Sequence, residues 1–393
     1  MRVLFISDVY FPRVNGVSTS IRTFRTDLAQ LGVQTQLVVP CYAQAQRAAA
    51  EPGITRVAAG RVPADPEDRR MRWGALRRTL DQLPAGEFDL VHIHTPFIAH
   101  YAGVRYARRA RVPCVVTYHT FFEEYLHHYV PVLPRALGRV AARHFTRSQC
   151  AAVHGLIAPS EPMRAVLTAY GVRTPIHVVP TGLAADRFRA GDGGAFRAAA
   201  GIAPARPLVL YVGRVAHEKN IGFLIRTFRR VRERVPEALL VIAGEGPARE
   251  ALRAQVAALG LHASVEFAGY LERDTALLDC YAAADVFVFA SRTETQGLVL
   301  LEAMAQGAPV VSTAELGTRS ILMPGCGALV VPEETEAFAA SVVRVLTDAG
   351  LRAGLAARGR AYARTWSSVA MARRMSEIYE QLCAAPRTLR APA

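Results

Sequence analysis

Two cations and two carboxylates in the second half of the chain stand at spacings that could do chemistry. Arg214 follows Gly213 at the end of the apolar run Leu208–Val212, and Lys219 comes five residues later, before a helical stretch. Two cations fixed at a strand end would hold an anion. They would stabilise it further if it gained charge as a bond broke, by roughly 3 kcal/mol or more for a well-placed donor. A solvated surface accounts for most of the arginines. Lys219 differs, because it is the single lysine among 47 basic residues. Where every other cation is Arg, a retained Lys points to a position that needs a compact, mobile ammonium and rejects a planar guanidinium.

The carboxylates are Glu294 and Glu302, within FASRTETQGLVLLEAMAQGAPVV, residues 289–311. Val286–Phe289 reads as a buried strand, Ser291–Gly297 as a polar loop, and Leu298–Ala305 as a helix that ends at Gly307. Eight positions separate the two, so they cannot pair on one helix face and are better suited to two parts of an extended ligand. Between them, the N–H groups of Gly297, Leu298 and Val299 open the helix and would suit an anion. Taken alone, the stretch is also compatible with an ordinary strand, loop and capped helix.

The pattern E-x7-E with an EAMA helix and G-x-P-V-V resembles the donor-sugar motif of retaining glycosyltransferases of family 4, which have two Rossmann-like domains, the GT-B fold. The resemblance implies that Glu294 holds sugar hydroxyls, Glu302 holds the ribose, and Arg214 and Lys219 bind the diphosphate in an R-x4-K pattern. It also sets the Gly16 loop of SDVYFPRVNGVSTS against the donor phosphates. In that stretch Asn15-Gly16 makes a tight turn, and Ser18 or Thr19 can cap the following helix. Gln296 stands where many relatives carry an aromatic residue, and ETQG is similar to members that glucosylate diacylglycerol. The implied donor is a nucleotide sugar, UDP-glucose or GDP-mannose, with no tightly bound cofactor.

His119 stands at the end of the strand Cys114–Tyr118 and opens HTFFEEY. A His there is more often structural than catalytic. YHTFFEEY is similar to the family's acceptor-side motif, which implies that His119 touches the transferred sugar and that Tyr125 lies on the acceptor side. His92, His94, His100, His127 and His128 are rich enough to suggest a metal. However, no carboxylate or Cys completes a ligand set, so no metal is expected there. The turns at Gly244-Glu245-Gly246-Pro247 and Gly269-Tyr270 are weaker nucleotide candidates.

These residues need a scaffold. Six short apolar runs in each half alternate with helical periodicity, which predicts two doubly wound parallel sheets, an α/β architecture with the ligand in a cleft at the strands' carboxyl ends. The expected domains are 1–182 for the acceptor and 183–365 for the nucleotide sugar, followed by a helix over 366–384 and a tail over 385–393. The resemblance implies that this last helix crosses back to the first domain.

The net charge of +14 and pI near 10.0 call for an anionic partner. Residues 1–180 hold 22 Arg against 12 Asp and Glu, so most of the surplus lies in the first half. There, Arg135, Arg139, Arg143 and Arg147 recur every four residues, with Leu133, Leu137, Val140, Ala141 and Phe145 on the other side. Such a helix could lie on an anionic membrane. It could equally pack its apolar side on the sheet and face water with Arg. No run of eighteen apolar residues occurs, and MRVLFISD reads as a strand, not a signal peptide. Six scattered cysteines read as reduced thiols.

The expected protein is a cytoplasmic enzyme, peripheral on the inner membrane face, that moves glucose from UDP-glucose to diacylglycerol. The alternative is a GDP-mannose-dependent enzyme acting on phosphatidylinositol or another lipid-linked acceptor. A nucleotide-sugar 2-epimerase is disfavoured by the HTFFEEY region. Nucleic acid is not an expected partner, since no binding motif accompanies the charge.

Overall fold

A computed structural model describes residues 1–42, 51–62, 65–84, 86–119 and 135–385. The chain divides into two compact units, Met1–Gly182 with Ser368–Ala393, and Leu183–Ser367.

The first unit contains β1 (Arg2–Ile6), β2 (Gln34–Pro40), β3 (Ile54–Val57), β4 (Ala59–Val62), β5 (Asp65–Met71), β6 (Leu90–Ile93), β7 (Cys114–Thr117), β8 (Gly155–Ala158) and β9 (Ile176–Val178). Seven of these form one parallel sheet in the order β3-β2-β1-β6-β7-β8-β9. Alternate residues of β1 serve opposite faces, as a sheet covered on both sides requires. Val3 and Phe5 pack with Ile21, Phe24 and Leu28 of the helix Gly16–Gln30, and with Met375, Ile378 and Tyr379 of the helix Ser368–Ala384. Leu4 and Ile6 pack with Leu76, Leu80, Ala102 and Tyr106 on the other face.

The second unit contains β10 (Leu208–Val212), β11 (Leu239–Ala243), β12 (Val265–Gly269), β13 (Val286–Phe289), β14 (Val310–Ser312) and β15 (Ala328–Val330), all parallel, in the order β12-β11-β10-β13-β14-β15. A single core of β-strand and helix side chains surrounds this sheet.

All twelve expected strands are present, five with the expected ends and seven with ends shifted by one or two residues. Edge strand β3 and the antiparallel hairpin β4–β5 were not expected. Their sequences, ITRV, AGRV and DPEDRRM, carry Arg, Gly and acidic residues that suppress the apolar signal of a strand.

Helix starts also differ in detail. The helix Gly16–Gln30 is capped by Asn15, whose side chain accepts from the Ser18 N–H at 2.9 Å. Ser18 is not the cap: it is buried, and its hydroxyl donates to the Arg13 carbonyl at 2.7 Å.

Candidate functional site

In the second sheet the order of winding reverses at β10, which lies between β11 and β13. The carboxyl ends of two adjacent strands with oppositely directed connections open a crevice there, where doubly wound sheets bind ligands. β10 runs into Gly213 and Arg214, and β13 into Ala290 and the polar loop that carries Glu294. A 3-10 turn over His217–Lys219 ends at Asn220 in the left-handed region, φ 57°, and the Asn220 amide donates to the Ala290 carbonyl at 3.2 Å. This clamps the two loops together. The Lys219 ammonium consequently lies 2.6 Å from Glu294 Oε1, and Arg214 Nη1 lies 3.3 Å from Glu218 Oε1.

The loops beneath are packed backbone against backbone. A Cβ on Gly244 would stand 2.0 Å from the Gly213 carbonyl oxygen, and one on Gly246 would stand 2.4 Å from that of Val215. Both glycines also have φ above +130°. Side chains are excluded there on both counts. On the Glu294 side, the Gly317 N–H donates to the Glu294 carbonyl at 2.9 Å, and a Cβ on Gly317 would stand 2.0 Å from the Thr295 carbonyl oxygen. Leu316, at φ 48°, holds a conformation that side chains rarely adopt, next to this contact.

The helix Leu298–Gln306 starts from Gly297 at φ 98°, and no side chain caps it. Its first N–H groups, those of Leu298 and Val299, follow directly on the Glu294 loop, and Gln296 is buried beside them. The arrangement can hold an anion, because helix N-termini carry unsatisfied donors.

Glu302 is buried one turn farther on, and both of its oxygens are engaged. Oε1 accepts from Arg273 Nη2 and Oε2 accepts from the Tyr281 hydroxyl at 3.1 Å. Burial, and then the Glu302 charge, hold the Tyr281 phenol well above its usual pKa, so it remains a donor. Arg273 and Tyr281 were missed in the sequence. Arg273 is one of 46 arginines in a charged loop, and Tyr281 sits in an apolar helix. Only a search for donors able to reach a buried glutamate would single them out.

In the first unit the reversal lies at β1, between β2 and β6. The Asp8 carboxylate accepts from the Thr95 hydroxyl at 2.8 Å and from the Ala99 N–H at 3.1 Å, and so anchors the start of the helix Ile98–Ala110. Burial pushes its pKa up to about 6. His119 follows β7 and is partly buried, with Nε2 3.4 Å from His94 Nδ1. Burial lowers its pKa to about 4. His92 bonds through both ring nitrogens, to the Tyr379 hydroxyl and the Thr117 hydroxyl, each at 2.6 Å. Neither nitrogen is offered to a metal. His127, His128 and Tyr125 lie outside the described residues, as does most of HTFFEEY.

Gly16 is the first residue of its helix, with open space where a Cβ would point. The basic helix runs over Arg135–Ala151. The side chains of Arg135 and Arg139 lie outside the described residues, whereas Arg143 is exposed with its guanidinium 5.2 Å from the centre of the Tyr170 ring. The expected apolar side is corrected here. Val140 is 66% exposed and Ala141 is also exposed, while Ala142, Thr146, Gln149 and Cys150 face inward. Gln149 is fixed by its bond to the Pro96 carbonyl, and Tyr118 bonds to Thr146, so polar residues occupy much of the inner face. No helix among the described residues is long and apolar enough to cross a membrane.

The family model Glycosyltransferase Family 4 matches residues 14–187, and Glycosyl transferases group 1 matches residues 194–362. The chain is 32% identical over 324 residues to an alpha-monoglucosyldiacylglycerol synthase of Streptococcus pneumoniae, covering 79% of this chain and 71% of that protein. It is 28% identical over 377 residues to a GDP-mannose-dependent alpha-mannosyltransferase of Mycolicibacterium smegmatis, covering 94% of this chain and 95% of that protein. In fold it is similar to a sucrose-phosphate synthase structure from Thermosynechococcus elongatus, with a TM-score of 0.80 at 22% identity, over 98% of this chain and 100% of that one. Two doubly wound units, the paired cation and carboxylate at the second unit's reversal point and these likenesses agree: the chain belongs to the family 4 glycosyltransferases of the GT-B fold, close to those that glucosylate diacylglycerol.

Proposed function

We propose that this glycosyltransferase moves glucose from UDP-glucose to a hydroxyl of diacylglycerol at the cytoplasmic membrane face, with retention of anomeric configuration. The observation that carries the donor half is the contact between Lys219 and Glu294 where β10 and β13 diverge. An ammonium for phosphate and a carboxylate for sugar hydroxyls stand side by side, as a sugar diphosphate requires. The acceptor half is supported by the likeness to the Streptococcus pneumoniae synthase.

In this reading Arg214 and Lys219 take the diphosphate, together with the N–H groups of Gly297, Leu298 and Val299 and the Gly16 loop. As the glycosidic bond breaks, charge builds on the leaving phosphate, and fixed donors there stabilise the transition state more than the ground state. Glu294 orients the sugar. Glu302 holds the ribose, since each of its oxygens has a lone pair beyond the one given to Arg273 or Tyr281. His119 contacts the transferred sugar and Tyr125 the acceptor side. No covalent nucleophile is needed, since the leaving phosphate can assist removal of the acceptor proton during front-side attack. Arg135, Arg139 and Arg143 supply attraction to an anionic lipid surface, and exposed Val140 adds an apolar contact on the same helix.

A second reading, transfer of mannose from GDP-mannose to phosphatidylinositol or another lipid-linked acceptor, is favoured by the near full-length likeness to the Mycolicibacterium protein. The two are separated by incubating the protein with labelled UDP-glucose or GDP-mannose and mixed micelles of diacylglycerol or phosphatidylinositol. Labelled α-glucosyldiacylglycerol is the expected product. A mannolipid would replace the first reading with the second, and absence of any labelled lipid would remove both.

A further inference from the structure

His92, His94 and His119 form a column of rings at the carboxyl ends of β6 and β7. The His92 and His94 centroids are 4.0 Å apart at 29°, and those of His94 and His119 are 5.7 Å apart at 24°. Phe5 packs against His92 and His94, with centroids at 5.0 and 4.7 Å. The base of the column is fixed, because His92 is bonded to Tyr379 and Thr117.

His94 is bonded differently. It is buried, its Nδ1 lies 3.4 Å from His119 Nε2, and its own Nε2 is buried with no hydrogen-bond partner. Burial keeps both rings neutral, so each carries a single N–H. Two arrangements satisfy the contact. If His119 donated from Nε2, His94 would have to carry its proton on Nε2, leaving a buried N–H with no acceptor. If His94 donates from Nδ1, the unpartnered atom is a bare lone pair. Buried orphan donors are the rarer of the two in folded proteins.

We infer that His94 is a positioning residue that donates from Nδ1 to His119 Nε2 and thereby fixes His119 as the Nδ1–H tautomer. The one lone pair of the His119 ring is then already occupied. With Nε2 held in this way, His119 cannot take the acceptor's proton there without breaking from His94. The functional half of this inference rests on the reading that His119 contacts the transferred sugar. The tautomer itself does not.

The test is long-range proton–nitrogen NMR on the full chain labelled with nitrogen-15 histidine at pH 7.5, with the His94 and His119 signals assigned through His94→Asn and His119→Asn. Protonation at Nδ1 is expected for both rings. In His94→Phe, which keeps the ring packing and removes the donor, His119 should move toward the Nε2–H form and kcat should fall roughly tenfold with the donor KM little changed. His94→Asn, whose amide can donate from about the Nδ1 position, should restore both. An Nε2–H form of His119 in the unsubstituted protein overturns the inference, and so does a His94→Phe protein whose His119 signals are unchanged. Nδ1–H signals in a protein that transfers no sugar would uphold the tautomer and overturn the glycosyltransfer reading.

Discussion

Lys219 and Glu294, 75 residues apart in the chain, meet at 2.6 Å with their side chains only 17% and 21% exposed. Their partnership puts the one lysine of the protein against the first carboxylate of the E-x7-E motif. A compact ammonium on a flexible stem can keep that contact and turn toward a phosphate, whereas a guanidinium is bulkier and presents its donors in a fixed plane. Lys219→Arg and Glu294→Ala should each lower kcat by about a hundredfold or more with little change in melting temperature. Steady-state kinetics with UDP-glucose and GDP-mannose would check this, and near-normal turnover in either variant removes that residue from the donor site.

Arg273 neutralises a glutamate that is 3% exposed. Arg273→Ala would leave the Glu302 carboxylate with the Tyr281 hydroxyl as its bonded donor and the Arg187 charge nearby, and breaking a buried pair in this way costs up to about 3–5 kcal/mol. Urea unfolding of Arg273→Ala, Glu302→Leu and the double variant tests the coupling. The double variant should be more stable than Arg273→Ala, because no uncompensated charge remains. Additive losses would mean that the pair is not coupled.

Acid should destabilise the fold well before the carboxylates as a class are protonated. Burial holds His92 and His94 well below the usual 6.5, and His100 and His119 at about 4. The unfolded chain binds these protons first, so the contribution of each histidine is full above pH 6.5 and is lost as the pH falls toward 4. Asp8 acts in the opposite sense. Its pKa is raised from 3.8 to about 6, so its contribution is lost as the pH rises through that window. Four imidazoles outweigh one carboxyl, and the melting temperature should fall as pH is lowered from 6.5 to about 4.5 at constant ionic strength. A flat profile over that interval would show that the histidines titrate normally.

Val140 and Arg143 give the membrane question a sharper form than charge alone. Replacing Arg135, Arg139 and Arg143 with Gln should weaken binding to anionic vesicles by roughly fivefold per charge at low salt, since each contributes about 1 kcal/mol. Val140→Glu should weaken it further without altering transfer to a soluble acceptor analogue. Vesicle sedimentation measures both, and unchanged binding would leave the helix as an ordinary surface element.

What could be read in the sequence was whatever leaves a local trace. Apolar runs such as LVLYV and VFVF mark strands buried on both faces, and Gly307 marks the end of the Leu298–Gln306 helix at φ 80°. The sole Lys219 and the paired glutamates were visible for the same reason. Arg273 and Tyr281 were not, because their role is set by which loop and helix the sheet order brings to Glu302. The orientation of the Arg135–Ala151 helix was misjudged at Val140, since small and polar residues, Ala142, Thr146 and Gln149, fill the inward face and hydropathy periodicity gives them little weight. β5 escaped notice because DPEDRRM is mostly charged and pairs with its hairpin partner outside the main sheet, although its last residue, Met71, is buried in the core.

The helix Ser368–Ala384 belongs to the core of the first unit, so the order of synthesis and the order of completion diverge. When residue 182 leaves the ribosome, β1 and β6 still lack Met375, Ile378 and Tyr379, and the His92 Nδ1 still lacks its phenol. The second unit, Leu183–Ser367, has all of its strands before that helix exists. Domains generally fold as units during translation. The half that is translated first is therefore finished last, and a chain that stops before residue 368 would carry every strand of the second unit while one face of the first sheet has only the helix Gly16–Gln30 to cover it.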